Sequence, residues 1–414
     1  MDRIVVVGAS AAGLATAGAL RRFGYGGELT LVGDEPHLPY DRPPLSKAFL
    51  SARLPAERLL LKSPADLDAL GLTLRVGRPA VALDQDHREV VLADDRIPYD
   101  VLVIATGVRP RRPFFADGPS GPLGGVHVLR TLDDARTLRD ELAPGRRLVV
   151  VGAGFLGSEI AATARGLGTD VTLVEAEATP LARTVGPEVG GALTAAHLAH
   201  GVDVRTGVTV ERLRGAAGRV VGVDLSDGTA LDADDVVVAV GSRPNTEWLQ
   251  GSGLTLDDGV VCDASGRAGR NIHAAGDVAR FDHPLFGTRL RIEHRTNATS
   301  QGLAVARDIL RSDDPGAFAS VPYFWSDQYD FSVQAYGHLP GHDSVTVVEG
   351  DLESGRFLAT YWKDGRIVGA LAMGMPPRQL RPWREAVAGG TASGDRDLPG
   401  ASSPGGRQSA VARE

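Results

Sequence analysis

Two glycine-rich turns are the segments of this sequence best suited to chemistry. The second, GAGFLG at 152–157, follows the apolar run RLVVV and precedes a helical pattern. Glycines at this spacing permit a tight turn and let a pyrophosphate approach the N–H groups at the start of the helix. Glu175 stands 18 residues after Gly157, where a carboxylate accepts a hydrogen bond from the adenosine ribose and repels a 2′-phosphate. We therefore expect an NADH site formed by Gly152, Gly154, Phe155, Leu156, Gly157 and Glu175.

The first turn, GASAAG at 8–13, has the same context of strand, turn, helix, strand and acid, with serine in place of the middle glycine. Asp34 lies 21 residues beyond Gly13. One such motif is weak evidence, but two in matching contexts favour two dinucleotides. We assign to this site Gly8, Ser10, Ala11, Ala12, Gly13 and Asp34.

Two dinucleotides in one chain indicate a flavin and a nicotinamide. NADH delivers only a hydride, whereas a flavin accepts the electron pair and releases it one electron at a time. We expect tightly bound FAD at the N-terminal turn and transient NADH at the inner turn.

Cys262 is the only cysteine of the 414 residues. One thiol forms neither an intrachain disulfide, a CxxC pair nor a cysteine-rich metal site. The arrangement of two dinucleotide sites resembles the flavin-dependent disulfide reductase group, whose disulfide-reducing members need a redox-active cysteine pair near the flavin. The resemblance implies that its peroxidase and coenzyme A-disulfide members would need one cysteine at about residues 42–47, and none stands there. We expect Cys262 to be an inert buried residue, so that electrons leave from the flavin itself and no metal is bound.

The elements around the turns alternate in the order typical of Rossmann-like folds. We predict an α/β fold of two dinucleotide-binding domains, similar to glutathione reductase, followed by a C-terminal α+β domain rich in aromatic residues. The predicted boundaries are residues 1–112 and 244–318 for the FAD-binding domain, 113–243 for the NAD-binding domain and 319–388 for the C-terminal domain. Residues 389–414 contain almost no large apolar side chains and are predicted to be a disordered tail.

Composition excludes several classes of protein. The chain is 43% apolar and 23% charged, with a net charge of −8, and no apolar stretch approaches the roughly 18 residues of a membrane span. The N-terminus shows no secretory signal pattern, and no long basic run points to nucleic acid. We expect a cytoplasmic protein without membrane or nucleic-acid partners.

The motifs in order resemble the bacterial NADH-dependent ferredoxin reductases, of the putidaredoxin reductase and aromatic-ring dioxygenase reductase type. They include GASAAG, PPLSK, ATGVRPR, LRTLDDA, GAGFLGSE, VGSRPN, AAGDV, RIEHRTNA and YFWSDQY, and they run from about residue 3 to 375. PPLSK together with YFWSDQY is the most specific combination.

The resemblance implies roles for individual residues. Lys47 would lie near the flavin N5 edge, and Glu159 would lie beside the nicotinamide and pair with Lys47. Lys47 and Glu159 would hold the geometry and the charge around the flavin while hydride passes to it, and they would not perform acid–base chemistry. Trp325 would stand near the flavin and the exit side. The remaining cofactor contacts implied are Glu35, Arg42, Ala80, Ala105, Thr106, Gly107, Arg130, Gly241, Gly276, Asp277, Glu293, His294 and Arg295.

Arg295 departs from the family, which often has an apolar residue or tryptophan there beside the flavin. The implied partner is an iron–sulfur ferredoxin (2Fe–2S or 3Fe–4S) that feeds a haem-thiolate monooxygenase or a ring-hydroxylating dioxygenase. Ferredoxins are usually acidic, so an acidic reductase needs a local basic rim, for which the candidates are Arg289, Arg291, Arg295 and Arg307. A monomer or weak dimer is expected.

Two alternatives of other classes stay open. An NADH oxidase or diaphorase would oxidise NADH rapidly without ferredoxin. A flavoprotein resembling apoptosis-inducing factor would form a long-lived charge-transfer complex with NADH and show negligible turnover with any ferredoxin.

Overall fold

The computed structural model describes residues 2–113, 117–118, 121–310, 317–392 and 398–399. The predicted tail therefore lies mostly outside the described residues. Its first residues still contact the fold, because the Ile367 N–H donates to the Thr391 carbonyl and Ala392 bridges to Arg366.

The described segments contain 29 strands, numbered in chain order. The strands up to residue 118 are β1 Arg3–Val7, β2 Glu28–Val32, β3 Thr73–Arg75, β4 Ala80–Asp84, β5 Glu89–Leu92, β6 Arg96–Pro98, β7 Val101–Ile104, β8 Val108–Pro110 and β9 Asp117–Gly118. The strands up to residue 244 are β10 Gly121–Pro122, β11 Val126–His127, β12 Arg147–Val151, β13 Asp170–Glu175, β14 Asp203–Thr206, β15 Val210–Ala216, β16 Arg219–Leu225, β17 Ala230–Asp232, β18 Asp235–Val238 and β19 Ser242–Pro244. The remaining strands are β20 Val260–Cys262, β21 Arg267–Gly269, β22 Ile272–Ala274, β23 Ala279–His283, β24 Thr288–Arg291, β25 Tyr323–Gln328, β26 Phe331–Gly337, β27 Ser344–Asp351, β28 Arg356–Lys363 and β29 Arg366–Met373.

Eight α-helices and three short 3-10 helices occur in the same described part of the chain. The α-helices are α1 Ala11–Arg22, α2 Pro64–Asp68, α3 Leu132–Glu141, α4 Phe155–Gly166, α5 Ala182–Ala199, α6 Arg295–Leu310, α7 Pro377–Leu380 and α8 Trp383–Gly389. The 3-10 helices are Pro43–Ser46, Ala56–Leu59 and Glu247–Leu249.

The contacts divide the chain into two units. The first comprises the described parts of Met1–Asp41, Ala56–Arg109 and Ser242–Pro322, and the second those of Arg42–Pro55, Pro110–Gly241 and Tyr323–Glu414. The predicted FAD-binding domain runs from 1 to 112 without interruption, whereas residues 42–55 group by their contacts with the second unit. Thr163 on α4 explains part of this grouping, because its hydroxyl donates to the Ser46 carbonyl at 2.7 Å.

The first unit is built on a six-stranded sheet in the order β21-β22-β7-β1-β2-β3. Strand β1 runs parallel to β2 and β7, and β22 runs parallel to β7. The apolar side chains of β1 are buried on both faces of the sheet. Ile4 and Val6 pack in one cluster with residues of α1 and α6, whereas Val5 and Val7 pack in another with residues of strands β4 and β5. Helix α6 packs closely on α1, since a Cβ at Gly302 would lie 2.6 Å from the Ala12 carbonyl oxygen.

The second unit repeats this construction with the parallel sheet β11-β18-β12-β13-β14. Its C-terminal part is the antiparallel sheet β25-β26-β29-β28-β27 with α7 and α8. Phe357, Tyr361 and Leu371 on this sheet pack with Val185 and Leu193 of α5 in one buried cluster. The predicted α/β architecture with a C-terminal α+β domain is confirmed.

His197 of α5 is fully buried in the second unit. Its Nδ1 and the Tyr329 hydroxyl are joined by a 2.7 Å hydrogen bond, while His200 stacks on the Tyr329 ring at 3.7 Å. Burial, and to a smaller extent the charge of His200, lowers the pKa of His197 to about 4. The fold therefore favours the neutral imidazole.

We predict an acid-linked loss of stability that depends on His197. Between pH 6.5 and 4 the unfolded chain binds the proton and the folded chain does not, so the free energy of unfolding falls by about 3 kcal/mol as pH drops through this range. His197→Asn should flatten this part of the pH profile in urea unfolding. The surface variant His200→Asn should keep most of the slope, and an unchanged profile in His197→Asn would contradict the assignment.

Candidate functional site

The turn after β12 has the geometry of a dinucleotide-binding turn. Gly152 adopts φ +100°, in the left-handed region. A Cβ at Gly157 would lie 1.9 Å from the Gly152 carbonyl oxygen, so that only glycine lets α4 start against the strand. A Cβ at Gly154 would meet nothing within 4 Å. The turn is therefore closely packed towards the sheet and open on its outer side, as a pyrophosphate requires.

A cavity of about 420 Å³ adjoins this turn. Glu175 borders it, and both carboxylate oxygens are held by backbone donors, Oε2 by the Ala153 N–H at 2.7 Å and Oε1 by the Glu177 N–H at 2.9 Å. The acid predicted from spacing is thus oriented beside the turn. Gly152, Gly154 and Gly241 also line the cavity. Phe155 instead packs on Phe324 with ring centroids 4.6 Å apart, while Leu156 is exposed.

The turn after β1 repeats the same packing with a serine at its centre. Gly8 adopts φ +122°, and a Cβ at Gly13 would lie 1.9 Å from the Gly8 carbonyl oxygen. Ser10 is the N-cap of α1, yet its side chain makes no capping hydrogen bond. The N–H groups of the first helical turn have no intrahelical acceptors, so this helix start suits an anionic pyrophosphate.

The other residues predicted around FAD in the first unit gather at one edge of the sheet. The carboxyl ends of parallel strands meet at the same edge, and β1, β2, β7 and β22 all end there. The Gly276 N–H donates to the Gln301 side-chain oxygen at 2.8 Å, and Thr106 and Asn245 exchange two hydrogen bonds of 2.8 Å. The segments that reach this edge are Gly8–Gly13 after β1, Asp34 and Glu35 after β2, Ala105–Gly107 after β7, and Gly276 and Asp277 after β22.

Two predicted positions, Glu35 and Glu293, are held by side-chain hydrogen bonds within the first unit. The Glu35 carboxylate accepts from the buried Tyr40 hydroxyl. Glu293 accepts from the Ser242 hydroxyl at 2.5 Å. Ala80 is half-buried at the start of β4, and His294 immediately precedes α6.

Arg295 opens helix α6 with its guanidinium paired to the Asp41 carboxylate and bonded to the Thr299 hydroxyl. The residue that departs from the family pattern is therefore a cation whose charge is compensated by Asp41.

Lys47 and Glu159 form a largely buried ion pair in the second unit. The ammonium nitrogen lies 2.7 Å from Glu159 Oε2, and the two side chains are 18% and 7% exposed. The same oxygen accepts from the Ser46 hydroxyl at 2.5 Å, and Oε1 accepts from the Ser326 hydroxyl at 2.8 Å. A buried carboxylate needs such a full set of donors, because an unpaired one would carry a large desolvation cost.

Sequence reasoning missed Ser46, Thr163 and Ser326. The two serines stand inside the quoted motifs PPLSK and YFWSDQY, but they are 113 and 167 residues from Glu159. The two motifs therefore indicated which segments of the chain belong to the site. Only the fold showed that the Ser46 and Ser326 hydroxyls donate to the Glu159 carboxylate.

Arg42, Arg130 and Trp325 complete the predicted residues of the second unit. The Arg42 guanidinium donates to the Arg130 carbonyl at 2.7 Å, and the Arg130 N–H donates to the Asp134 carboxylate at 3.0 Å. Trp325 on β25 is half-buried and stacks with Tyr323 at 6.1 Å.

Three of the four arginines in the candidate basic rim are electrically compensated by carboxylates. Arg289 pairs with Asp282 at 2.9 Å and Arg291 with Glu293 at 2.5 Å, and Arg295 pairs with Asp41. Arg307 lies over the Phe23 ring. These four cations therefore do not form a patch of uncompensated positive charge.

Cys262 is buried on β20, and burial raises the pKa of its thiol to about 12. The thiol is therefore protonated and unreactive at neutral pH, as expected from the sequence. Among the described residues no group of three or more histidine, cysteine or acidic side chains could hold a metal ion. In the same described segments, no helix is long and apolar enough to span a membrane.

Residues 2–302 match the family model for pyridine nucleotide-disulphide oxidoreductases, and residues 323–402 match the model for the reductase C-terminal domain. The chain belongs to the pyridine nucleotide-disulphide oxidoreductase family. The expected resemblance to ferredoxin reductases is confirmed by the relatives described next.

Several relatives align with this chain over almost its full length. Rhodocoxin reductase from Rhodococcus erythropolis is 40% identical over 375 residues, covering 90% of this chain and 86% of that protein. The ferredoxin–NAD(+) reductase component of the anthranilate 1,2-dioxygenase system of Burkholderia cepacia is 40% identical over 395 residues, with 94% and 95% covered. The crystal structure of a covalent putidaredoxin reductase–putidaredoxin complex superposes with a TM-score of 0.90 at 35% identity, covering 94% of this chain and 93% of that one.

We predict that Glu159→Ala destabilises the protein by about 3 kcal/mol, because it leaves a buried ammonium and two hydroxyls without their acceptor. The double variant Lys47→Met/Glu159→Gln removes both charges and keeps an acceptor, so it should lose less. Urea unfolding of the two variants and the wild type measures the difference. Wild-type stability in Glu159→Ala would show that the pair contributes nothing.

Proposed function

We propose that this protein is an NADH-dependent ferredoxin reductase that binds FAD and supplies single electrons to an iron–sulfur ferredoxin of an oxygenase system. The observation that carries the proposal is the alignment, over nine-tenths of the chain, with reductases of such systems. The isolated thiol supports it, because no cysteine pair is available to carry electrons to a disulfide substrate.

The residues at the edge of the first sheet suit FAD. The start of α1, with an uncapped serine and small side chains, would hold the pyrophosphate, and Asp34 would accept from the adenosine ribose. Bound flavin supplies the conversion between a two-electron donor and a one-electron carrier. We assign to its binding the first-unit residues named above, together with Arg42, Lys47, Arg130 and Trp325.

The cavity beside Gly154 suits NADH. The N–H groups at the start of α4 would bind the pyrophosphate, and the pre-oriented Glu175 carboxylate would accept from the ribose. A 2′-phosphate at that position would face a fixed negative charge. The site thus favours NADH over NADPH.

Lys47 and Glu159 are assigned a positional and electrostatic role. Glu159 fixes the direction of the Lys47 ammonium and keeps a compensated positive charge at that point. The Glu159 carboxylate accepts from three donors, and we assign proton transfer to neither side chain.

Further details belong to the proposal. We assign Trp325 to the electron exit side, and we expect a ferredoxin with a 2Fe–2S or 3Fe–4S cluster and a monomeric or weakly dimeric reductase. The reaction depends on a supply of NADH, and we therefore place the protein in the cytoplasm.

Turnover of purified holoprotein with 2Fe–2S and 3Fe–4S ferredoxins tests the proposal. We expect NADH-dependent bleaching of at least one ferredoxin and a much slower rate with NADPH. Rapid NADH oxidation that ignores added ferredoxin would instead indicate an oxidase or diaphorase. A long-lived charge-transfer band with no ferredoxin reduction would indicate a flavoprotein of the apoptosis-inducing-factor kind.

Glu175→Ala should raise KM for NADH by about tenfold or more and reduce the preference for NADH over NADPH, because it removes a charge-assisted hydrogen bond to the ribose. Glu188→Ala removes the same charge from an exposed position on α5. It should leave the KM for NADH and the preference for NADH over NADPH unchanged. Steady-state kinetics with the two nucleotides provide the measurement. If the ratio of the KM for NADPH to the KM for NADH is unaltered in Glu175→Ala, the assignment of Glu175 as the ribose acceptor is wrong.

A further inference from the structure

The Glu159 carboxylate is shared unequally between two segments of the chain. Oε2 receives both donors of the 42–55 segment, the Lys47 ammonium at 2.7 Å and the Ser46 hydroxyl at 2.5 Å. Oε1 receives the Ser326 hydroxyl at 2.8 Å, which comes from β25 in the C-terminal sheet. The terminal torsion of a carboxylate lies in a broad minimum, so the donor at Oε1 fixes the plane of the carboxylate and thereby the position of Oε2 beside the Lys47 ammonium.

The direction of the Ser326 hydrogen bond is fixed by the Glu159 carboxylate, which can only accept. The one proton of the Ser326 hydroxyl is therefore donated to Glu159 Oε1. The Gln328 side-chain N–H donates to Ser326 Oγ at 3.3 Å and so occupies an acceptor position of the same hydroxyl. Ser326 and Gln328 are 0% and 1% exposed, so water does not replace either bond.

The strand geometry explains why these two residues act together. Side chains two positions apart point to the same face of a strand, and Phe324, Ser326 and Gln328 form the buried face of β25. The half-buried Trp325 lies on the opposite face. One short strand therefore presents the aromatic residue outward and the hydroxyl inward.

We infer that Ser326 is a positioning residue for Lys47: by donating to Glu159 Oε1 it orients the carboxylate that holds the Lys47 ammonium, and so ties the C-terminal sheet to that amine. The consequence for catalysis rests on the proposed function, in which Lys47 contacts the flavin. The hydrogen bond from Ser326 to Glu159 does not depend on that function. The positioning role and the proposed function can therefore be refuted separately.

The chain provides internal references for a test, because its lysines are only Lys47, Lys62 and Lys363. A lysine held in an ion pair reacts slowly with an acylating reagent, so loosening of the pair appears as faster labelling. Brief acetic anhydride labelling of the oxidised holoprotein, followed by mass spectrometry, gives the three rates separately without NADH or ferredoxin.

Ser326→Ala should raise the labelling rate of Lys47 about fivefold relative to Lys62 and Lys363, the size expected for partial loss of a charge-assisted hydrogen bond. Ser326→Thr keeps the hydroxyl and should restore the slow rate. Ser332→Ala is the matched control: it removes a hydroxyl from the adjacent strand β26 that bonds to Gln334 rather than to Glu159, and it should change nothing. Ser46→Ala removes the other hydroxyl of the same carboxylate and should also accelerate Lys47.

An unchanged Lys47 rate in Ser326→Ala would overturn the inference, as would an equal rise at all three lysines, which indicates general loosening of the fold. A rise confined to Lys47 supports it, whatever the ferredoxin assay shows. A protein with this response but no ferredoxin reduction would refute the proposed function while leaving Ser326 as the residue that positions Lys47.

Discussion

The tight contact between glycine and backbone at the two strand–helix turns is the constraint on which the rest depends. At both turns a Cβ on the last glycine would lie 1.9 Å from the carbonyl oxygen of the first. No side chain fits in that space, so the helix starts directly against the end of the strand. Its N-terminal N–H groups are thereby brought to the carboxyl edge of the sheet, where an anion can approach them. The same constraint acts in both units, so each of them has a helix N-terminus open to an anion.

The buried Glu159 carboxylate organises the second unit in a different way. It lies on α4, immediately after the glycine turn, and it receives donors from the 42–55 segment and from the C-terminal sheet. Thr163, one helical turn further on, holds the Ser46 carbonyl as well. The helix that begins at the second glycine turn is therefore also the element on which the Lys47 segment is anchored.

Compensation of charge recurs throughout the molecule. The arginines that composition suggested as a basic rim each have a carboxylate or an aromatic ring as neighbour. Exposed pairs of this kind contribute little stability, but they remove isolated positive charge from the surface. The four candidate arginines therefore give this part of the described surface no cluster of uncompensated positive charge.

The sequence by itself determined the two turns, the acids Asp34 and Glu175, the strand–helix order and the lack of a cysteine relay. These features are local: a glycine spacing or an apolar run acts on neighbouring residues, so its meaning can be deduced from a short window. Only the tertiary structure decided that Ser46 and Ser326 share one carboxylate, that Arg295 is neutralised by Asp41, and that residues 42–55 group with the second unit. Those contacts join residues more than 100 positions apart, and their partners are selected by the packing of strands and helices rather than by any pattern along the chain.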